Sequence, residues 1–160
     1  MYERIVVALD GSAVAEQILP HAQALAEKFG STLILVRAIL PVEKVAALIE
    51  PSIGGVPLDP ELIEETIESE EHEATTYLEH VANDLRLRGL TVNTEHPPGA
   101  AVDVILDCAR QSQADLIALT THGRSGLQRI VYGSVADGVV RRAPCPVLIV
   151  RVRWGTDATG

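Results

Sequence analysis

The 160-residue sequence predicts an α/β fold, one domain built on a single doubly wound, five-stranded parallel sheet. Two patterns predict the class. Short continuous apolar runs rich in β-branched residues, the kind buried on both faces of a parallel sheet, alternate with longer segments of helical period that serve as crossovers. A glycine-bearing stretch, Gly123 to Gly133, follows the fourth run and precedes a helical pattern. It therefore joins the carboxyl end of a strand to a helix amino terminus, where open parallel sheets bind ligands.

The elements follow in order. Arg4 to Leu9 is the first strand and ends in Asp10-Gly11-Ser12, a turn and helix-start signal. Ala15, Ile18, Leu19, Ala22, Leu25, Ala26 and Phe29 then repeat at helical spacing, and Gly30 stops the helix. Pro20 falls inside this pattern, so a kink or an outer-face position is expected there. Thr32 to Ala38 is the second strand. The connection from Ile39 to Asp59 is long where about 2 to 6 residues are usual, and Val42 to Ile49 within it reads as a short helix. Such connections are often lids or partner surfaces.

Asp59 is an N-cap and Pro60 a first helical residue for a helix running to about Arg88, with Gly89 beyond it. Its buried face is expected to be Ala74, Tyr77, Leu78, Val81, Ala82 and Leu85; its acidic first half, with His72 and His80, reads as a solvated surface. Leu90 to Glu95 alternates like a half-exposed edge strand. A helix from Ala100 to Gln111 should turn Val102, Ile105, Leu106 and Ala109 inward. Ala114 to Leu119 is the fourth strand, Val135 to Arg142 a helix with two arginines at its carboxyl end, and Val147 to Val150 the fifth strand. Residues 1–154 form the expected domain, and 155–160 an expected frayed tail.

The stretch from Thr120 to Val135 carries the chemistry. Glycines at 123, 126 and 133 remove side chains and permit positive φ, so successive backbone N–H groups can converge on an anion. A helix starting near Ser134 directs its free N–H groups and positive dipole end at the same place, and Ser134 adds a hydroxyl. A phosphate fits this description. Ordinary loops also collect glycines, and a serine at a helix start is often only an N-cap, so both readings stand on spacing alone. Neither a Walker lysine nor an intact dinucleotide fingerprint is present. Arg124 and Arg129 are candidate phosphate partners or plain solvated arginines. His122 reads as loop packing, because no orienting carboxylate or activated nucleophile accompanies it in the sequence. Asp10, at the tip of the first strand, suits either a ribose hydroxyl or a self-contained Asp-Gly-Ser turn.

Composition narrows the classes. The formal net charge of -9 and 3% aromatic content argue against a nucleic-acid surface, which needs a basic face or stacking platforms. A nucleotide remains compatible, because local donors and not total charge set the field at a phosphate. No apolar stretch approaches the length of a membrane span, and the start of the chain lacks a signal-peptide layout, which makes the cytoplasm the expected compartment. Cys108 and Cys145, without metal-ligand spacing, read as small buried hydrophobes of a reducing compartment.

Val-Ala-Leu-Asp-Gly-Ser near the start, Thr-His-Gly-Arg-Ser-Gly, Tyr-Gly-Ser-Val-Ala and the ending Arg-Ala-Pro-Cys-Pro-Val-Leu-Ile-Val together resemble the universal stress protein family. The likeness spans the chain apart from the Ile39 to Asp59 connection. It implies a Rossmann-like sheet in the order 3-2-1-4-5 and a homodimer made through Val147 to Val150. It also implies ATP, possibly as ADP or AMP, in some members. Gly123, the nine residues Arg124 to Tyr132, Gly133 and Ser134 match the ATP-binding pattern, but Thr120 stands where a first glycine is expected. By the same resemblance Asp10 faces the ribose, Ala38 offers backbone groups to adenine, Val135 lies beside the phosphates, and Ser134 caps them with a nucleotide-bound magnesium ion nearby. The readings that follow are a dimeric ATP-dependent switch in stress response, a slow ATP hydrolase or phosphoryl transferase, and a nucleotide-free dimerisation module. An electron-transfer flavoprotein-like domain shares the layout.

Overall fold

The computed structural model describes residues 1–49, 59–121 and 133–152. Five strands, β1 (Arg4–Ala8), β2 (Thr32–Val36), β3 (Thr91–Glu95), β4 (Leu116–Thr121) and β5 (Val147–Arg151), form one sheet in the order β3-β2-β1-β4-β5, every pairing parallel. The expected order and class are those observed. The helices are α1 (Leu19–Phe29), α2 (Val42–Ile49), α3 (Pro60–Leu87), α4 (Ala101–Gln111) and α5 (Ser134–Arg142).

The period of two in the central strands divides the core into two halves. Ile5, Val7, Leu33, Leu35, Leu116 and Ala118 point to one face and pack under Ala22 and Ala26 of α1 and Leu78, Val81, Ala82 and Leu85 of α3. Val6, Ile34, Val36, Ile117 and Leu119 point to the other, under α4 and α5. Burial on both faces is why these strands read as unbroken apolar runs. The alternation in β3 has a different cause. This strand closes the sheet at one end, and only Val92 of it is buried.

The free edge of β3 is occupied by a side chain. Arg37 N–H donates to the Glu95 carbonyl at 3.0 Å, so Glu95 faces β2. Residues alternate in direction along a strand, and Val92 therefore turns its carbonyl outward. Arg86, from the last turn of α3, donates to that carbonyl through Nε at 3.1 Å and Nη2 at 2.8 Å. Its Nη1 bonds Glu79 at 2.8 Å, and Glu79 accepts from the Thr94 hydroxyl at 2.7 Å.

Several expectations need adjustment. Pro20 takes the outer-face position of the two expected, being exposed, and does not kink a helix or sit in mid-helix. A separate 3-10 turn, Ala15–Ile18, precedes α1, and Pro20 occupies the first turn of α1, where its missing N–H has no partner to lose. β2 ends at Val36, leaving Ala38 just past the strand. β4 starts two residues later than expected and extends through Thr120 and Thr121, both β-branched and paired with Val150 and Arg151. Val104 and Cys108 join Ile105, Leu106 and Ala109 in the buried face of α4, while Val102 is only partly buried. Cys108 is buried, and burial with the nearby Glu95 carboxylate pushes its thiol up to about 12. Cys145 is half-buried, not enclosed. Asp59 caps α3 through the Glu61 N–H at 3.0 Å, α2 occupies Val42–Ile49, and α3 buries its expected face with Tyr77 partly covered. The frayed tail and the upper boundary at 154 lie outside the described residues.

Candidate functional site

β1 sits between β2 and β4, and the chain leaves it towards one side of the sheet and returns on the other. At the carboxyl ends of these strands the crossovers diverge, opening a crevice at the point where strand order reverses.

Two adjoining clefts occupy this crevice. The first, of ≈ 120 Å³, has Ala8, Leu9 and Asp10 from the end of β1, Val36 and Ala38 from the end of β2, and Leu119 and Thr120 from β4. Ala15, Ala101, Ile105 and Val135 complete its walls. Four alanines make the space: small side chains at strand ends and helix starts leave a slot with mainly apolar walls. Asp10 stands on its rim. One Asp10 oxygen accepts the Ser12 N–H at 2.9 Å, and the Ser12 hydroxyl oxygen accepts the Ala15 N–H at 3.1 Å, so the self-contained turn is formed. The turn leaves the Asp10 carboxylate on the rim of the slot, so the turn and the ribose reading are compatible in position.

The second cleft, of ≈ 160 Å³, is bounded by Thr120, Gly133, Ser134, Val135 and Ala136, and shares Thr120 and Val135 with the first. It lies at the amino terminus of α5. The Asp137 N–H to Gly133 carbonyl bond at 3.0 Å opens the helical ladder, so the N–H groups of Ser134, Val135 and Ala136 come before its first helical acceptor. Gly133 is the N-cap and makes no side-chain cap. Ser134 is the exposed first helical residue, so the plain N-cap reading of this serine does not hold. Nor does Gly133 use its freedom at positive φ: at φ -52 and ψ 153 it adopts a conformation open to any residue. Gly133 borders the cleft without contributing a side chain to it.

Thr120 is 8% exposed and held in the β4 ladder opposite Val150. Asp10, Ala38, Thr120 and Val135 thus line one cleft, and Gly133 and Ser134 join Thr120 and Val135 in its neighbour. Gly123 and Arg124 lie outside the described residues, as do His122, Gly126 and Arg129. Among the described residues no three His, Cys, Asp or Glu side chains are grouped to hold a metal. No helix among them is long and apolar enough to cross a membrane.

Sequence reasoning passed over the walls. Ala8, Leu9, Ala15, Val36, Ala101, Ile105 and Leu119 carry no distinctive chemistry, and only their position at strand ends and at the start of α4 could have marked them. It also passed over Arg37, which follows β2 and sits behind the Asp10 turn.

The sequence matches the family model described as the universal stress protein family over residues 1–151. It is 35% identical over 153 residues to universal stress protein MJ0531 of Methanocaldococcus jannaschii, covering 94% of this chain and 83% of that one. Among solved structures, hypothetical protein MJ0577 superposes with a TM-score of 0.77 at 24% identity over 97% of this chain and 99% of that one. A universal stress protein from Archaeoglobus fulgidus in complex with dAMP gives a TM-score of 0.63 at 24% identity, with 92% and 97% covered. One in complex with cAMP gives 0.62 at 23%, with 95% and 98% covered. At these identities the structural likeness speaks for the fold.

Proposed function

The chain belongs to the universal stress protein family, and from that premise we propose that it binds ATP across the two clefts and acts as a dimeric, nucleotide-dependent switch in stress response. The observation that carries the reading is the continuity of a small-walled apolar slot with a helix amino terminus whose N-cap residue, Gly133, carries no side chain, joined at Thr120 and Val135. A nucleotide has this division of chemistry: a flat ring to desolvate, hydroxyls to bond and an anion to neutralise. The complexes of structural neighbours with dAMP and cAMP support it.

Each part then has a task. The slot between Ala38, Ala101 and Ile105 takes the adenine by burial, and Asp10 on its rim accepts from ribose hydroxyls. The N–H groups at the start of α5 and the positive end of its dipole receive phosphate oxygens, with the Ser134 hydroxyl beside them. The protein provides no cage of acidic ligands among the described residues, so magnesium enters as a companion of the phosphates near Ser134. Thr120 stays in its strand, so the nucleotide meets the rest of the site without a glycine there. β5, the apolar end strand opposite β3, is the surface for a second copy.

Gly133→Val tests the reading. The backbone at Gly133 tolerates any residue, so the variant should fold, while its side chain would stand before the helix donors. ATP affinity measured by calorimetry is expected to fall at least tenfold, about 1.4 kcal/mol. Equal affinity in variant and wild type would overturn the placement of the phosphates.

A further inference from the structure

The Asp10 turn is backed by a side chain that belongs to neither cleft. Arg37 follows β2 and directly precedes Ala38. Its guanidinium lies against Gly11 so closely that a Cβ there would stand 3.0 Å from Nη1 and 3.3 Å from Cζ. The same group donates through Nη2 to Glu73 at 2.8 Å and lies 5.5 Å from the ring centroid of Tyr77, both on α3. The Arg37 side chain is only 12% exposed, whereas Glu73 is 66% exposed. A planar cation is thus wedged between the turn that presents Asp10 and the middle of the longest helix.

From this we propose that Arg37 is a positioning residue for the nucleotide site, setting the Asp10–Ser12 turn from behind, and that Glu73 and Tyr77 of α3 act on the site through it. The inference rests on the nucleotide reading above and adds to it a route from an exposed helix to the ribose rim. Gly11 needs positive φ, at +85, for the turn, and the absence of its side chain admits the guanidinium. Tyr77 limits the guanidinium on one side by cation–π contact and Glu73 fixes its direction, so its position depends on where α3 lies. α2 packs on α3 as well, so a partner bound to the α2–α3 surface and a nucleotide in the cleft would bias the same element.

Glu73→Ala separates positioning from fold maintenance, because Glu73 touches neither cleft and its own side chain is 66% exposed. In ligand-free protein, hydrogen exchange at Ser12 and Ala15, whose N–H groups bond Asp10 and Ser12, is expected to accelerate at least fivefold, with Leu78 and Leu35 unchanged. Glu73→Gln, which keeps an oxygen acceptor, should fall between. Unchanged exchange at Ser12, or a uniform rise across the molecule, overturns the proposal. In calorimetry, Glu73→Ala and Arg37→Met should each weaken ATP at least fivefold. The double variant should bind no more weakly than Arg37→Met, because Glu73 works through Arg37. Wild-type affinity in Glu73→Ala, or additive losses in the double variant, also overturns it. Wild-type protein that binds no ATP overturns the nucleotide reading; the ligand-free exchange comparison still decides whether Glu73 governs the turn.

Discussion

Two glycines with nearly the same positive φ isolate what the Arg37 contact contributes. Gly11 has φ +85 and Gly89 has φ +87, but a Cβ on Gly89 meets nothing within 4 Å, whereas one on Gly11 meets the Arg37 guanidinium at 3.0 Å. Alanine at either position incurs about 1–2 kcal/mol for the left-handed backbone. Restriction of the unfolded chain offsets about 0.4–1 kcal/mol of that. Gly89→Ala should therefore lose about 1 kcal/mol. At Gly11 the methyl must also displace a guanidinium held by Glu73 and Tyr77. Weakening the cation–π contact forfeits about 0.5–1 kcal/mol, and loosening the half-exposed ion pair adds at most about 1 kcal/mol. Gly11→Ala should thus be less stable than Gly89→Ala by about 0.5–2 kcal/mol, or about 1–8 °C in thermal midpoint for a chain of this size. Urea unfolding at one fixed protein concentration reads the difference, provided the slopes agree. Equal losses in the two variants would refute the claim that the guanidinium is wedged against the turn.

Further outcomes follow from other parts of the molecule. Leu148→Lys places a charge in β5 and should convert a dimer to monomer in light scattering at micromolar concentration; a wild-type monomer there would remove the dimer from the proposal. The Arg86 hydrogen bond, followed by that from Thr94, holds the Glu79 carboxyl below its ordinary 4.5. Its contribution is then fully present above the unfolded value and fades as pH falls through the lower folded value, so wild type and Glu79→Gln should converge in stability at the acid end and separate above about pH 5. A gap that widens on acidification would contradict the sign. Turnover of ATP with magnesium should stay below about 1 per minute, far beneath the ~10 per second of a typical enzyme. Enzyme-like rates abolished by Ser134→Ala would favour the hydrolase reading instead.

The central strands were legible because burial on both faces leaves an unbroken apolar run, and β3 because one-sided burial leaves an alternating one. Helix limits were legible where local chemistry sets them, as at Asp59, Pro60 and Gly30. Pro20 was not, since apolar spacing from Ala15 to Phe29 satisfies a 3-10 turn followed by an α-helix as well as one continuous helix. Nor was the end of β4: Thr120 and Thr121 look like loop residues until β5 is placed beside them. At the candidate site, Asp10, Gly133 and Ser134 drew attention by type and by position at element ends, and Thr120 only by standing where the family resemblance expects a glycine. The alanines of the slot did not, because a wall made by absence of side chain looks like any helix or strand alanine. Arg37 was silent for another reason: its partners Gly11, Glu73 and Tyr77 come from two separate elements, and no spacing along the chain brings them together.

The two ends of the sheet differ in what they offer a neighbour. At β3 the outward carbonyl of Val92 is already taken by Arg86, and the strand carries Asn93 and Glu95 beside it. At β5 the strand reads Val-Leu-Ile-Val, each residue half-buried. A unit able to join at both ends can add copies without limit, as a fibre does; a unit able to join at one end has a valence of one, and its growth stops at two. The guanidinium on the Val92 carbonyl disfavours growth at β3, so the pairing proposed for β5 would close at two copies.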